Sequence, residues 1–322
     1  MSSSDSYAVT SAAASILRRG GLVALPTETV YGLGANAFDA RAVAKIFAAK
    51  ERPFFDPLIV HLAESSWWPR VVLEFPPRAE QLAKTFWPGP LTMVLPKTPM
   101  IPDIVTSGMP HVAIRVPDHP LARDVLRLAD VPIAAPSANL FGRLSPTTAE
   151  HVRQQLGDRV DFIVDGGPCR VGIESTIVQF EGDTVICLRP GGITLEEIES
   201  VVGPVRRPVP SFSDERSPAA PGMLASHYAP RTRLRIVDDI PRIPPSPRMG
   251  LLILQPCLGS EHYAQTEILS QAGDLIEAAS TFFNALHRLD GANLDLILAV
   301  PLPDIGLGIS MNDRLRRAAH EH

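Results

Sequence analysis

Between residues 203 and 230 the chain reads GPVRRPVPSFSDERSPAAPGMLASHYAP, dense in proline and serine with little apolar periodicity. Proline fixes φ and removes a backbone donor, so neither a regular helix nor a central strand runs through such a stretch. Hydrophobic cores must therefore form on either side of it, and the stretch reads as an interdomain linker. The 322 residues then divide into a domain over 1–203, a linker over 204–230 and a smaller domain over 231–322. Domain sizes of roughly 100–200 residues are usual, and this division respects them.

Hydrophobic periodicity organises the first part as mixed strands and helices. Residues 8–19 predict a helix ended by Gly20-Gly21. LVALP (22–26) predicts a short buried strand that runs into the polar, glycine-punctuated TETVYGLGA. From Asp39 a helix follows with Val43, Ile46 and Phe47 on one face, stopped by Pro53. Further strands are predicted at 57–62, 91–96, 111–117, 131–137, 161–167 and 175–180, with helices near 77–86, 119–129 and 147–156. That pattern indicates an α/β or α+β domain. Beyond the linker, strands at 234–238, 250–255 and 294–300 with helices at about 267–289 and 309–319 predict a small three-layer α/β domain.

Composition narrows the function classes. Hydrophobic residues are 45% and charged residues 20%, the balance of an ordinary soluble protein. The net charge of −5 argues against a broad electrostatic grip on nucleic acid and leaves room for a local basic pocket. Only four of the cations are lysines, and arginine suits bidentate contact with carboxylate and phosphate. The three cysteines are scattered and form no CxxC pair, which speaks against a zinc knuckle or a disulfide framework. The first 21 residues lack the order of a secretory signal, and no apolar run approaches the ~18 residues of a membrane span, so a cytoplasmic, soluble protein is expected.

Several segments gather groups that bind or react. PTETVYGLGA (26–35) offers Thr27, Thr29 and Tyr31 for substrate recognition, or serves as a turn that needs glycine torsions. Lys50 and Arg52 sit at a helix C-terminus, where the dipole favours cations in any case. With Asp56 and His61 they form a polar group leading into a buried strand. Arg115 interrupts the apolar strand HVAIRVP; it either lies on a solvated face or binds a carboxylate through its guanidinium fork. In PIAAPSANLFGRLSPT (132–147), Ser137, Asn139 and Ser145 stand at a strand end and a helix start. Such groups bind phosphate or carbonate, or simply cap. Ser175, Thr176 and Arg189 repeat the theme beside glycines in GIESTIV and LRPGGIT.

Taken in order, PTETVYGLGA, KERPxxxPLIVH, FWPGPLT, HVAIRVPDHP, APSANLFGRLSPT, GIESTIV and LRPGG closely resemble the YrdC-like threonylcarbamoyl-AMP synthase family. SPAAPGMLASHYAP (217–230) and GLGISMNDRLRRAA (306–319) resemble its longer, two-domain form. The resemblance implies a twisted open sheet with a concave active site, plus a smaller Rossmann-like domain joined by a linker that covers the site. It also implies an enzyme that condenses L-threonine, bicarbonate and ATP into threonylcarbamoyl-AMP and pyrophosphate. A downstream transferase complex would then use this intermediate to modify tRNA.

Carried onto this sequence, Thr29, His61, Arg115, Ser175 and the backbone at Ala135 would hold L-threonine, while Lys50, Arg52, Ser137 and Asn139 would form the catalytic floor. Arg52, Asp56, His111, Ser137, Ser145, Arg189 and Tyr228 would contact ATP. Magnesium would arrive with the ATP phosphates and not on a protein site. Asp56 stands where the family usually has asparagine, and His111 where it usually has threonine. An acidic Asp56 would repel phosphate unless it faces a hydroxyl, an amine or magnesium. The competing readings are carbamoyl transfer from carbamoyl phosphate and a non-enzymatic RNA-binding factor. The first resembles larger chains with zinc-binding cysteine pairs, which this sequence lacks; the second meets an acidic net charge.

Overall fold

A computed structural model describes residues 3–207, 227–240 and 247–320. The chain opens with α1 (Ser3–Arg18), which buries Ala13, Ala14 and Leu17. β1 (Val23–Leu25) and β2 (Gly32–Asn36) then pair antiparallel. α2 (Ala40–Lys50) starts where the Asp39 carboxylate accepts from the backbone N–H of Arg41 and Ala42, satisfying donors that a helix start leaves open. It stops at Glu51, which adopts φ 55°, so a left-handed cap ends the helix two residues before Pro53.

The first unit continues through β3 (Ile59–His61), α3 (Pro77–Phe86), β4 (Leu91–Pro96), α4 (Asp103–Thr106) and β5 (His111–Arg115). α5 (Pro120–Ala129), β6 (Ile133–Ala134), α6 (Ala149–Leu156) and β7 (Phe162–Ile163) come next. β8 (Thr176–Glu181), β9 (Thr184–Arg189), α7 (Leu195–Val202) and β10 (Val205–Arg206) complete it. The ten strands form one mixed sheet in the order β10-β9-β8-β4-β5-β3-β6-β2-β1-β7. β3 runs parallel to β5 and antiparallel to β6, which aligns His61 with Arg115 across the ladder.

Several elements of this unit differ from the sequence expectation. The glycine-rich run read as a turn is partly strand β2. A Cβ at Gly34 would lie 2.8 Å from Ile133 Cγ2, and one at Gly32 would lie 3.3 Å from Ala135 Cβ, so glycine admits the neighbouring chain. β9 closes a hairpin on β8 through Gly182, which takes φ 57°. α7 carries a capping box in which Thr194 and Glu197 exchange side-chain and backbone bonds.

The second unit is a parallel four-stranded sheet. It comprises β11 (Leu234–Ile236), β12 (Met249–Ile253), β13 (Gln265–Ile268), α8 (Leu275–Asp290), β14 (Leu296–Ala299) and α9 (Leu307–Ala318), in strand order β11-β14-β12-β13. The helix predicted from about 267 begins only at Leu275. Gln265–Ile268 instead pair with Gly250–Ile253, and Asp274 caps the helix start. Phe282, Phe283, Leu286 and Leu289 of α8 and Met311 and Leu315 of α9 pack on Leu234, Leu252 and Ile297. Each such burial is worth about 1.5–3 kcal/mol. Val30, Leu144, Ile173 and Tyr228 join the same cluster, so this helical layer also presses on the first unit. Met249, Leu251, Ile253 and Leu298 occupy the other sheet face with Tyr263. No helix among the described residues is long and apolar enough to cross a membrane.

Candidate active site

The C-terminal ends of β3 and β5, the start of β8 and the end of β9 converge on one concavity with about 530 Å3 of empty space, its opening included. Open α/β sheets place ligands at such strand ends. Thr27, Thr29, His61, Arg115, Ala135, Ser137, Glu174, Ser175 and Arg189 line it, together with Arg52, His227 and Tyr228.

Arg115 is 3% exposed, which rules out the solvated-face alternative. Its Nη2 donates to Glu28 Oε1 at 2.5 Å, its Nη1 to Thr29 Oγ1 at 2.9 Å and its Nε to the Gly89 carbonyl at 3.2 Å. Glu28 is itself buried, and its second oxygen accepts from the backbone N–H of Asp118 at 3.0 Å. A buried guanidinium paired with a carboxylate is held at a fixed orientation. Each terminal nitrogen keeps one further N–H, and a planar pair of donors matches a ligand carboxylate.

His61 stands beside Arg115 in the β3–β5 ladder, and its Nδ1 has no hydrogen-bond partner among the described residues. Burial, reinforced by the Arg115 charge, pushes its pKa down to about 3. His61 is therefore neutral at physiological pH and offers hydrogen-bonding capacity and shape in place of charge.

Arg52 and Arg189 supply the remaining cationic wall. Arg52 pairs with Asp56 at 2.8 Å, donates to the Asp56 and Pro57 carbonyls, and lies 5.9 Å from the Phe141 ring centroid. Arg189 donates to the Ser175 carbonyl at 2.8 Å, while Ser175 Oγ and Thr92 Oγ1 lie 2.7 Å apart. Tyr228 enters from the end of the linker at φ 64°, and its buried Oη has no partner among the described residues. Residues 208–226, most of the linker expected to cover the site, lie outside the described residues.

Several expected site residues do not reach the cavity. Lys50 is 1% exposed and sits beneath the floor; its Nζ donates to the Ser137 and Asn139 carbonyls, both at 2.6 Å. Burial, then the Arg52 charge, holds its pKa well below the usual lysine range. Asn139 is turned to the framework as well, donating to the carbonyls of Leu140 and Arg143. These two residues shape the loop that presents Ser137. Asp56 is fully buried against Arg52, so the carboxylate that would repel phosphate is neutralised below the wall. Burial raises its pKa, and the Arg52 charge opposes that rise. Ser145 donates to Glu174 Oε1 at 2.5 Å behind the lining. His111 begins β5, roughly 13 Å along the strand from Arg115 at about 3.3 Å per residue, and pairs with Pro96.

Residue types alone did not single out Glu28, Glu174, His227 or Arg314. A signal for Glu28 was present: a strand arginine that is buried requires a carboxylate partner, and Glu28 sits between Thr27 and Thr29, both singled out. Glu174 had a weaker sign, an acid directly before Ser175. Its partner Arg314 lies 140 residues away, beyond any local pattern.

Comparison with known proteins agrees with this architecture. The Sua5/YciO/YrdC family profile, described as telomere recombination, matches residues 15–191. The profile of the threonylcarbamoyl-AMP synthase C-terminal domain matches residues 193–320. Threonylcarbamoyl-AMP synthase of Pyrococcus abyssi is 42% identical over 95% of this chain and 93% of its own. That of Bacillus subtilis is 43% identical over 95% and 92%. The crystal structure of P. abyssi Sua5 complexed with L-threonine superposes with a TM-score of 0.88 at 39% identity, covering 96% of this chain and 94% of the other. The chain thus belongs to the Sua5/YrdC family of threonylcarbamoyl-AMP synthases, in the form that carries the additional C-terminal domain.

Proposed function

We propose that this protein condenses L-threonine, bicarbonate and ATP into threonylcarbamoyl-AMP and pyrophosphate inside the cavity bounded by Thr29, Arg52, Arg115 and Arg189. The observation that carries the reading is the convergence of three buried arginines on one concave space. Desolvated guanidinium groups at such a place favour anionic ligands, and the threonine carboxylate, bicarbonate and the ATP phosphates are all anionic.

The threonine carboxylate takes the free N–H groups of Arg115, with Thr29 fixing the approach and His61, Ser175 and the Ala135 backbone surrounding the side chain and amine. The amine attacks bicarbonate, or the CO2 derived from it, and water leaves to give N-carboxythreonine. An oxygen of the new carboxylate then attacks the α-phosphorus of ATP, the bond to the β-phosphate oxygen breaks, and pyrophosphate departs. Two unit charges 4 Å apart at an effective dielectric constant of about 20 repel by about 4 kcal/mol. The preorganised charges of Arg52 and Arg189 offset this repulsion, and Ser137 and Tyr228 add polar contacts to ATP.

Lys50 and Asn139 act at one remove, through the position of Ser137. Glu28 is committed to Arg115 and Glu174 to Arg314. Among the described residues there is no group of three or more His, Cys, Asp or Glu side chains suited to a metal. In this reading magnesium accompanies the ATP phosphates, where it would neutralise charge.

In this reading His227 and Tyr228, at the end of the linker, form part of the cavity wall against the nucleotide. The labile product passes to a transferase that acts on tRNA, in the cytoplasm. Pyrophosphate release by purified protein, with threonine and bicarbonate omitted in turn, tests the reaction. Release that needs both, with threonylcarbamoyl-AMP detected by mass spectrometry, supports it; release indifferent to threonine refutes it.

A further inference from the structure

Arg314 is the largest fully buried side chain among the described residues. It belongs to α9 of the second unit, yet two of its three hydrogen-bond partners belong to the first. Nε donates to Glu174 Oε2 at 3.0 Å, and Nη1 donates to the Pro190 carbonyl at 2.7 Å and to Asp313 at 2.9 Å. The guanidinium carbon lies 5.4 Å from the Tyr228 ring centroid. Nη2 is buried with no hydrogen-bond partner among the described residues. Glu174 and Tyr228 line the cavity, and Pro190 directly follows Arg189, which lines it too. One side chain from the second unit thus touches Glu174 and Tyr228 of the cavity wall and the residue that follows Arg189.

We propose that Arg314 is a positioning residue of the active site, setting the charge and shape of the wall formed by Glu174, Arg189 and Tyr228. Glu174 is the one carboxylate among the described lining residues, and the ligands of this site are anionic. Arg314, which is not among the lining residues, pairs with it through Nε and Oε2. Without that pair the Glu174 charge acts on Arg189 and on any phosphate nearby.

Tyr228 needs support of its own, because a non-glycine residue at φ 64° is strained. Arg314 beneath its ring and Phe283 of α8, 5.7 Å away, hold it in place. The neighbouring His227 N–H donates to the Arg317 carbonyl on the same helix. An ordinary interdomain ion pair would stabilise the domain contact and leave ligand affinity alone. This arrangement couples the C-terminal domain to nucleotide binding.

The proposal rests on the reading that ATP occupies this wall. The test is therefore calorimetric affinity for ATP with magnesium, a readout independent of turnover. The threonine- and bicarbonate-dependent pyrophosphate release of the parent separately tests the reaction.

In Arg314→Met the ATP Kd should rise about 10- to 100-fold, the range expected when one uncompensated charge faces an anion at close range. The threonine Kd should stay within threefold. Glu174→Gln/Arg314→Met should recover most of the loss, because the uncompensated charge is gone. An ATP Kd within twofold of the parent, or a double variant as impaired as Arg314→Met, overturns the proposal. If Arg314→Met does not fold, Arg314→Lys decides. It keeps the charge beside Glu174, so a Kd rise below about fivefold supports the proposal, and a rise as large as that given for Arg314→Met refutes it.

Discussion

Replacing Lys50 by methionine separates two roles that the sequence leaves together. Methionine keeps an unbranched side chain of similar length, so the buried space that Lys50 occupies stays filled. What disappears is the ammonium that donates to the Ser137 and Asn139 carbonyls at 2.6 Å and approaches Asn139 Oδ1 at 3.4 Å. Two hydrogen bonds from a charged donor are worth about 1.5–3 kcal/mol each. Relief of the buried charge offsets part of that, leaving a net loss of about 3 kcal/mol. For a domain of some 200 residues this lowers Tm by about 6–12 °C. Turnover should fall by at least tenfold through misplacement of Ser137. Scanning calorimetry and pyrophosphate release on the same preparation read both quantities. A Lys50→Met protein with parental Tm and a steeply raised KM for ATP would put the ammonium on the substrate and refute its role as a strut under the loop.

Other expectations are simpler. Arg115→Lys removes the fork while keeping the charge and should raise KM for threonine by about 10- to 100-fold; an unchanged threonine KM in steady-state assays counts against the carboxylate contact. His61 has a pKa near 6.5 in the unfolded chain and about 3 in the fold. The unfolded state therefore binds more protons in that window, and stability, full above pH 6.5, is lost as the pH falls towards 3, by up to about 1.4 kcal/mol per pH unit. His61→Gln should show a correspondingly shallower acid slope in denaturant titrations, and an identical slope would contradict the buried neutral state. Cys257 is exposed, whereas burial pushes Cys169 up to about 12 and Cys187 up to about 11. In a thiol-labelling assay at pH 8 one thiol should react in the native protein and three after unfolding; rapid native labelling of a second refutes this.

Local pattern was enough for much of the fold. LTMVLP became β4 over the predicted residues, and the helix at 77–86 matched because Pro77 begins it. The β2 strand escaped because its glycines signal a turn locally, while their reason is the close approach of Ile133 and Ala135. The sequence puts the start of α8 too early because Gln265–Ile268 look like a helix lead-in until β12 is available to pair with them.

The sequence by itself carried the strand-and-helix class and the polar segments that meet at the site, since these depend on periodicity, turn chemistry and motif order. The family resemblance implies a shared site for Thr29, His61, Arg115, Ala135, Ser137, Ser175, Arg189 and Tyr228, and these residues line one cavity. Only the tertiary structure decided which polar groups face the cavity and which brace it from behind. Lys50, Asn139, Asp56 and Ser145 resemble binding residues in sequence, but their charges and donors are taken up by carbonyls, carboxylates and arginines brought close by folding. The same holds for Glu28 with Arg115 and Glu174 with Arg314, pairs 87 and 140 residues apart. Desolvation and pairing are properties of neighbours in space, and no local run of residues encodes them.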